Sequence, residues 1–424
     1  MESPECFAVK GTFLDTPEPG ALRCRDGYMT VKAGIVSAFS EKLPEGFAGA
    51  LYDYTGLLIC PGFSDLHLHA SQYQYCGTAM DVTLLDWLQN YAYPEEARYA
   101  DVDYAGSAYS VFVRDLLRSG TTRSCIFATI HTEATLELQR QLEEAGLISL
   151  VGKLSIDRSS PDYYREPSAE AGAAETERWL RESRSRGFTR ALPMITPRFT
   201  PSVTDDYMRR LGELAVKYSV PMQSHLSENP EEIAWVSELC PDTRFYGETY
   251  SRYGLFGGEV PTVMAHCIYS GEEEIALMKE NGVFIAHCPT SNENVIAGIS
   301  PAAAYLRSGQ RIGLGSDVSG GHTLNLFAVM AAAVQVSKLR WKFISDAEKP
   351  LTLPEAFYMA TAGGGSFFGK VGLFEPGYEF DAAVFDDDMA SRLLPLSPAE
   401  RLERYAYRGD GRATAKFVRG VKVV

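Results

Sequence analysis

The sequence predicts an α/β protein built on a (β/α)8 TIM-type barrel, with a small β-sandwich-like domain formed from both chain ends. Three observations carry this. Eight short apolar runs alternate with longer amphipathic segments between residues 61 and 317, close to the roughly 250 residues typical of such a barrel. Both chain ends are β-prone, punctuated by turns and free of helical periodicity. Six of the seven histidines sit near or just after the end of a strand candidate, the face on which barrel enzymes build their sites.

In chain order, 7–13, 29–31 and 34–39 are short β-prone runs divided by Pro17-Glu18-Pro19-Gly20 and Arg25-Asp26-Gly27. The strand candidates of the barrel are 63–69, 122–130, 147–156, 190–198, 220–225, 261–266, 283–287 and 311–316. Helix candidates between them include 105–118, 133–144, 169–185, 204–218 and 271–280. Gly120, Gly146, Gly187 and Gly282 are expected to end helices in the left-handed conformation. No Gly-x-Gly-x-x-Gly follows any strand, which weakens a dinucleotide-binding sheet. Segments 324–339 and 353–361 read as helices, after which 380–385 and 415–424 return to strand. The expected division is 1–60 and 369–424 for the small domain, with the barrel at 61–368.

Composition narrows the function. The 424 residues are 45% apolar and 22% charged, ordinary for a globular protein. Against 55 acids stand 40 Lys and Arg, a net −15, and no basic run offers a surface for nucleic acid or anionic lipid. No apolar stretch approaches the 18 or so residues of a membrane span, and 328–336 reads as a buried helix. The opening Met-Glu-Ser-Pro-Glu-Cys is acidic where a secretory signal is basic, and none of eight cysteines is spaced Cys-x-x-Cys. A cytoplasmic protein acting on a small molecule is expected.

The sharpest local pattern is Phe63-Ser64-Asp65-Leu66-His67-Leu68-His69. On a strand, residues two apart share a face, so His67 and His69 point inward while Leu66 and Leu68 face the helices. Alone, the pair could simply line a barrel. His225 ends the fifth strand candidate, His266 the sixth, and Asp317 follows the eighth. Several imidazoles and a carboxylate from separate strands suit a borderline divalent metal such as Zn2+. Glu228, three residues after His225, is the candidate proton carrier. The competing account is a helix start, because Asn229-Pro230-Glu231-Glu232 has a cap, a proline and acids in the first turn. No His-Glu-x-x-His, Gly-x-Ser-x-Gly or phosphate-binding loop is present, and His131-Thr132-Glu133 lacks the Pro-Cys-x-x-Cys partner that would make it a second zinc motif.

These residues resemble the metal-dependent amidohydrolase superfamily, and finer motifs resemble its guanine deaminase branch. Those motifs are His67-Leu-His-Ala-Ser-Gln-Tyr73, the run 81–88, Thr196-Pro-Arg-Phe199, Gln223-Ser-His-Leu-Ser-Glu228, Val263-Met-Ala-His266, Ala286-His-Cys-Pro-x-Ser-Asn292 and Gly315-Ser-Asp-Val318. The resemblance implies one Zn2+ per chain, with iron as the alternative, held by His67, His69, His225 and Asp317. It implies catalytic roles for Glu228, His266 and Asp317, with a zinc-activated water attacking C2 of guanine to give xanthine and ammonia in purine catabolism or salvage. Gln72 and Arg198 would bind the polar edge of the base, Phe199 would pack on its ring and His225 would border it. Relatives with two metals use a modified lysine on strand four; 190–199 contains none, so a single ion is expected and Lys153 is read as structural or near-metal. His287 and Asn292 are expected to support the site and shape its loop, and a homodimer is implied. Thr290, Glu293, Ser316, Ser319 and His322 depart from the branch's pattern at the pocket rim. That leaves another heterocycle, such as oxidised guanine, a pterin or a triazine, as the alternative substrate. A catalytically silent scaffold is a further alternative, against which the intact ligand set and Glu228 argue.

Overall fold

The computed structural model describes residues 6–387 and 393–424; residues 1–5 and 388–392, which fall within the two expected end segments, lie outside the described residues. Strands from both ends pair into one mixed sheet of seven. Its order is Val421–Lys422, Ala415–Val418, Ala382–Phe385, Ala50–Pro61, Cys6–Asp15, Arg23–Lys32 and Ile35–Ser40. Alternation along Cys6–Asp15 places Phe7, Val9 and Phe13 on one apolar face. There Phe7 meets Phe380 and Phe417, both at 5.7 Å between ring centroids, and Phe13 meets Phe374 at 5.3 Å. The two ends do combine, but as one sheet and not as two stacked ones. The reason is Ala50–Pro61, a long strand absent from the sequence expectation, which pairs with Cys6–Asp15 on one side and Ala382–Phe385 on the other. Its first half, from Ala50 to Leu57, is largely exposed, which hid its periodicity.

All eight expected barrel strands are present. Phe63–His69, Thr121–Phe127, Ile148–Gly152 and Ala191–Pro193 pair in parallel, as do Met222–Leu226, Thr262–His266, Phe284–His287 and Arg311–Leu314. A parallel bridge between Ile195 and Met222 joins the two sets. At the far side Asp317 N donates to His67 O at 2.8 Å and His69 N to Val318 O at 2.7 Å, so the chain returns to its first strand. The third and fourth strands are each broken, their second pieces Leu154–Ser155 and Thr196–Pro197 pairing separately. Pro193 and Pro197 explain the interruption of the fourth, since proline cannot donate to a ladder.

The helix candidates hold to within a few residues, and Ala169–Ser185 coincides with its expectation. Gly146 and Gly282 take the left-handed conformation at helix ends, and Gly187 follows suit. Gly120 does not. The helix Val102–Arg118 closes at an extended Ser119, and what Gly120 supplies is space. A Cβ there would lie 2.7 Å from the Phe63 ring and 2.8 Å from Phe385. Gly120→Ala is therefore expected to destabilise by about 1–3 kcal/mol, measured by urea unfolding, through overpacking. The helix Leu326–Phe343 contains the apolar run 328–336 and buries most of it. No helix among the described residues is long and apolar enough to cross a membrane.

The end sheet is fastened to the barrel by a buried cation. Lys416 Nζ donates to the carbonyls of Leu116, Ser119 and Thr121 at 2.9–3.0 Å. Burial pulls its pKa down to about 7, with Asp381 opposing. The unfolded chain holds this proton up to the ordinary lysine range, so between pH 7 and about 10 it binds more protons than the folded one. Lys416 therefore makes stability rise with pH across that window, by at most about 1.4 kcal/mol per unit. Lys416→Met should flatten that slope and, by stranding carbonyls that the lysine satisfies, cost roughly 2–4 kcal/mol at pH 7; paired urea titrations at pH 7 and pH 9 read both effects.

Candidate active site

The sixth strand shows how the backbone assembles the site. Its register pairs His225 with Ala265, so alternation would turn His266 away from His225 and toward the outer layer with Leu226. His266 instead has φ 72°, a sparsely populated conformation for a non-glycine residue, and this carries its ring inward. Ser227, Cys267 and Asp317 also have positive φ, so three strands leave the barrel through strained turns at one end. The first strand departs from simple alternation as well. It advances from Asp65 to Leu68 while its partner advances from Ser124 to Ile126, a bulge. Leu68 packs toward Tyr109 and Phe112 on a helix, as expected. Leu66 does not face the helices; past the bulge it joins Cys125, Met194, Val263 and Ala265 from other strands.

The structure brings the expected ligands together. Asp317 Oδ1 lies 3.1 Å from His67 Nε2 and 3.4 Å from His69 Nε2, and His69 Nε2 lies 3.3 Å from His225 Nε2. Donors around a tetrahedral ion with ~2.1 Å bonds are spaced by about 3.4 Å, so the set fits such an ion. The tautomers fit too. His225 Nδ1 donates to Arg198 O at 2.6 Å, and His266 Nδ1 donates to Asn292 Oδ1 at 2.8 Å, leaving each Nε2 as an inward lone pair. His67 Nε2 and His266 Nε2 are buried without a hydrogen-bond partner. Burial holds His69 and His225 well below the ordinary imidazole range, and His67 below it, so all three are neutral and able to ligate. Burial opposes charge on Asp317 as well, but its contacts with His67, His266 and His69 outweigh it and hold the carboxyl below the usual carboxylate range. Asp65 Oδ1 accepts from Ser316 N at 2.9 Å and so ties the first strand to the turn that carries Asp317.

Glu228 occupies the far side of this cluster. Its Oε2 is 3.7 Å from His266 Nε2, and burial followed by the charge of Asp317 raises its pKa well above the usual carboxyl range, with Arg198 opposing. The helix-start account is also correct, with the cap at Asn229 as expected. Asn229 Oδ1 caps Pro230–Leu239 by accepting from Glu232 N at 2.8 Å. Glu232 then reaches back, accepting from Glu228 N at 3.0 Å and from Tyr246 OH at 2.7 Å, which fixes the backbone that aims Glu228.

Between these groups lies a cavity lined among others by Gln72, Trp87, Arg198, Phe199 and Val295. Arg198 is buried and held by Glu96, whose two oxygens accept from Nη1 at 2.9 and 2.7 Å. Glu96 also accepts from Gln72 Nε2 at 2.6 Å. Sequence reading missed Glu96. Its only local signal is Tyr93-Pro94-Glu95-Glu96, which looks like any helix start. Phe199 is buried and meets Trp235 edge-on at 6.0 Å, so it joins the cavity wall and the packing at once.

Other singled-out residues lie apart from the cavity. His131 precedes the helix Thr132–Ala145, and burial brings its pKa down to about 4. Lys153 is buried against Glu166 at 2.5 Å, with Tyr207 OH on the other oxygen at 2.6 Å, a structural pair. His322 accompanies Asn294 at 3.1 Å. Asn292 supports the site through His266, whereas the His287 ring is buried without a hydrogen-bond partner.

The chain belongs to the amidohydrolase family, whose sequence profile matches residues 58–421. Membership implies a TIM-type barrel, in keeping with the parallel strand order. Similar proteins include several guanine deaminases. The one from Dictyostelium discoideum is 35% identical over 382 residues, covering 88% of this chain and 84% of that protein. The one from Homo sapiens is 36% identical over 379 residues, covering 86% and 82%. The solved structure of guanine deaminase from C. acetobutylicum with guanine bound in its active site has a TM-score of 0.94 and 44% identity, covering 99% of this chain and all of that one.

Proposed function

We propose that this chain hydrolyses guanine to xanthine and ammonia, with His67, His69, His225 and Asp317 holding a single Zn2+. The observation that carries the reading is one cavity with two chemically distinct walls, a convergent imidazole–carboxylate cluster opposite a buried Arg198–Gln72 pair. When bound, the ion supplies Lewis acidity that brings a water's pKa near 7. Glu228, whose pKa burial raises well above the usual carboxyl range, takes a proton from the attacking water and delivers it to the ring nitrogen beside C2. Asp317 stays ionised and accepts a hydrogen bond from the same water. His266, oriented by Asn292, faces the oxygen that attacks. Arg198 donates to the base's carbonyl oxygen, Gln72 meets its ring N–H, and Phe199 and His225 border the ring. Water thus contributes its oxygen to C2, one of its protons completes the departing amino group as ammonia, and the other stays on the ring nitrogen beside C2.

The neutral nitrogen and carboxylate donors support zinc, with iron as the competing ion. The domain reading is 61–368 for the barrel, with 1–60 and 369–424 supplying the end sheet. A cytoplasmic location rests on eight free thiols, and a homodimer on exposed Trp341, Phe343 and Ile344 at one helix end. The deciding experiment measures metal content, then ammonia release from guanine, oxidised guanine, adenine, cytosine and pterins. Turnover of guanine above the others is expected. A metal-loaded protein that releases ammonia only from a different heterocycle would overturn the substrate assignment.

A further inference from the structure

We infer that Glu96 is the positioning residue that sets which heterocycle edge the cavity accepts, by fixing the donor–acceptor pattern that Arg198 and Gln72 present. Glu96 is fully buried on the short helix Tyr93–Ala97 and does not itself line the cavity, but it bonds two residues that do, Gln72 and Arg198. Its two oxygens take Nη1 of Arg198, which among the described residues leaves Nε and Nη2 as guanidinium donors without a protein acceptor. A carboxylate can only accept, so Gln72 must turn Nε2 toward it. On the opposite side Ser319 N, which can only donate, lies 3.4 Å from Gln72 Oε1. Both neighbours therefore dictate the same amide orientation, and the assignment follows from chemistry alone. The cavity wall then offers a donor from Arg198 beside an acceptor from Gln72.

That pattern complements a lactam edge, a carbonyl oxygen next to a ring N–H, and opposes an amidine edge, an amino group next to a bare ring nitrogen. A buried ion pair adds little stability over apolar packing, so its presence behind the pocket is better explained by orientation than by folding. The inference rests on the proposed deamination and extends it: the 6-oxo group is the selected feature of the substrate, and Glu96 enforces the selection from behind.

The test compares guanine with 2,6-diaminopurine, which carries the same 2-amino group but presents an amino group at C6. The wild-type enzyme should prefer guanine by roughly 10^3-fold or more in kcat/KM, as expected when a site built for one hydrogen-bond pattern meets its reverse. Glu96→Gln keeps the shape but replaces one of the two accepting oxygens with a donor and removes the charge, so Arg198 and Gln72 can no longer both be held as the carboxylate holds them. Guanine kcat/KM should fall about 10^2-fold, mainly through KM, and the preference should shrink at least tenfold with metal content unchanged. The swap Glu96→Gln with Gln72→Glu returns a carboxylate to the pair, with an acceptor at position 72 in either orientation, and should restore at least tenfold of the lost preference. Should Glu96→Gln fail to fold, Glu96→Asp keeps the charge beside Arg198 while withdrawing from Gln72. It should raise the guanine KM about tenfold, with kcat changed less than threefold. An unchanged preference in Glu96→Gln, equal losses on both bases, or an unchanged KM in Glu96→Asp overturns the inference. A wild-type enzyme inert toward both bases would instead overturn the proposed deamination.

Discussion

Replacing Glu228 with Gln is expected to lower kcat for guanine by roughly 10^2–10^4-fold, with KM changed little and metal content at the wild-type level. The substitution preserves the volume and the backbone contact to Glu232, which uses Glu228 N and not its side chain. What it removes is the one carboxyl beside His266 that burial and Asp317 hold ready to carry a proton. The loss belongs to the chemical step, so it appears in kcat. Single-turnover kinetics with elemental analysis check it. Wild-type kcat in the variant would assign the proton transfer to another group, and loss of metal would make Glu228 part of the ion's holding set.

Asp317→Asn should be the more severe change, with loss of bound metal and a fall in kcat/KM of about 10^3-fold or more. Asp317 is the single charge among the four expected ligands, and it lies within 3.1–3.4 Å of two of the imidazoles. An amide there leaves three neutral donors around a dication and forfeits several kcal/mol of transition-state stabilisation, which converts at about 1.4 kcal/mol per tenfold. Chelation of the wild-type protein should copy the effect and addition of zinc reverse it, whereas the variant should regain little. A variant that retains both metal and rate would remove Asp317 from the ligand set.

Both residues stand out in the sequence. His67, His69, His225, His266 and Asp317 were legible because each stands at the end of an apolar run, and a parallel barrel brings the ends of its strands to one rim. The side-chain directions were less legible. His266 faces inward only through a positive φ, and Leu66 turns inward only through a bulge; a period-two reading contains neither. Gly120 marks a helix end in sequence, yet what requires it is the approach of Phe63 and Phe385, residues 57 and 265 positions away in the chain.

The sequence by itself determined the eight alternating strands, the helices between them, and which imidazoles and carboxylates stand at the strand ends, because periodicity, caps and residue type are local properties of the chain. Only the tertiary structure decided that the two ends share one sheet through Ala50–Pro61, and that Glu96, unremarkable in its own helix, grips Gln72 and Arg198 together. The physical reason is that pairing partners and buried charge contacts join residues far apart in the chain. Their energies depend on which groups are excluded from water together, and no local pattern carries that information.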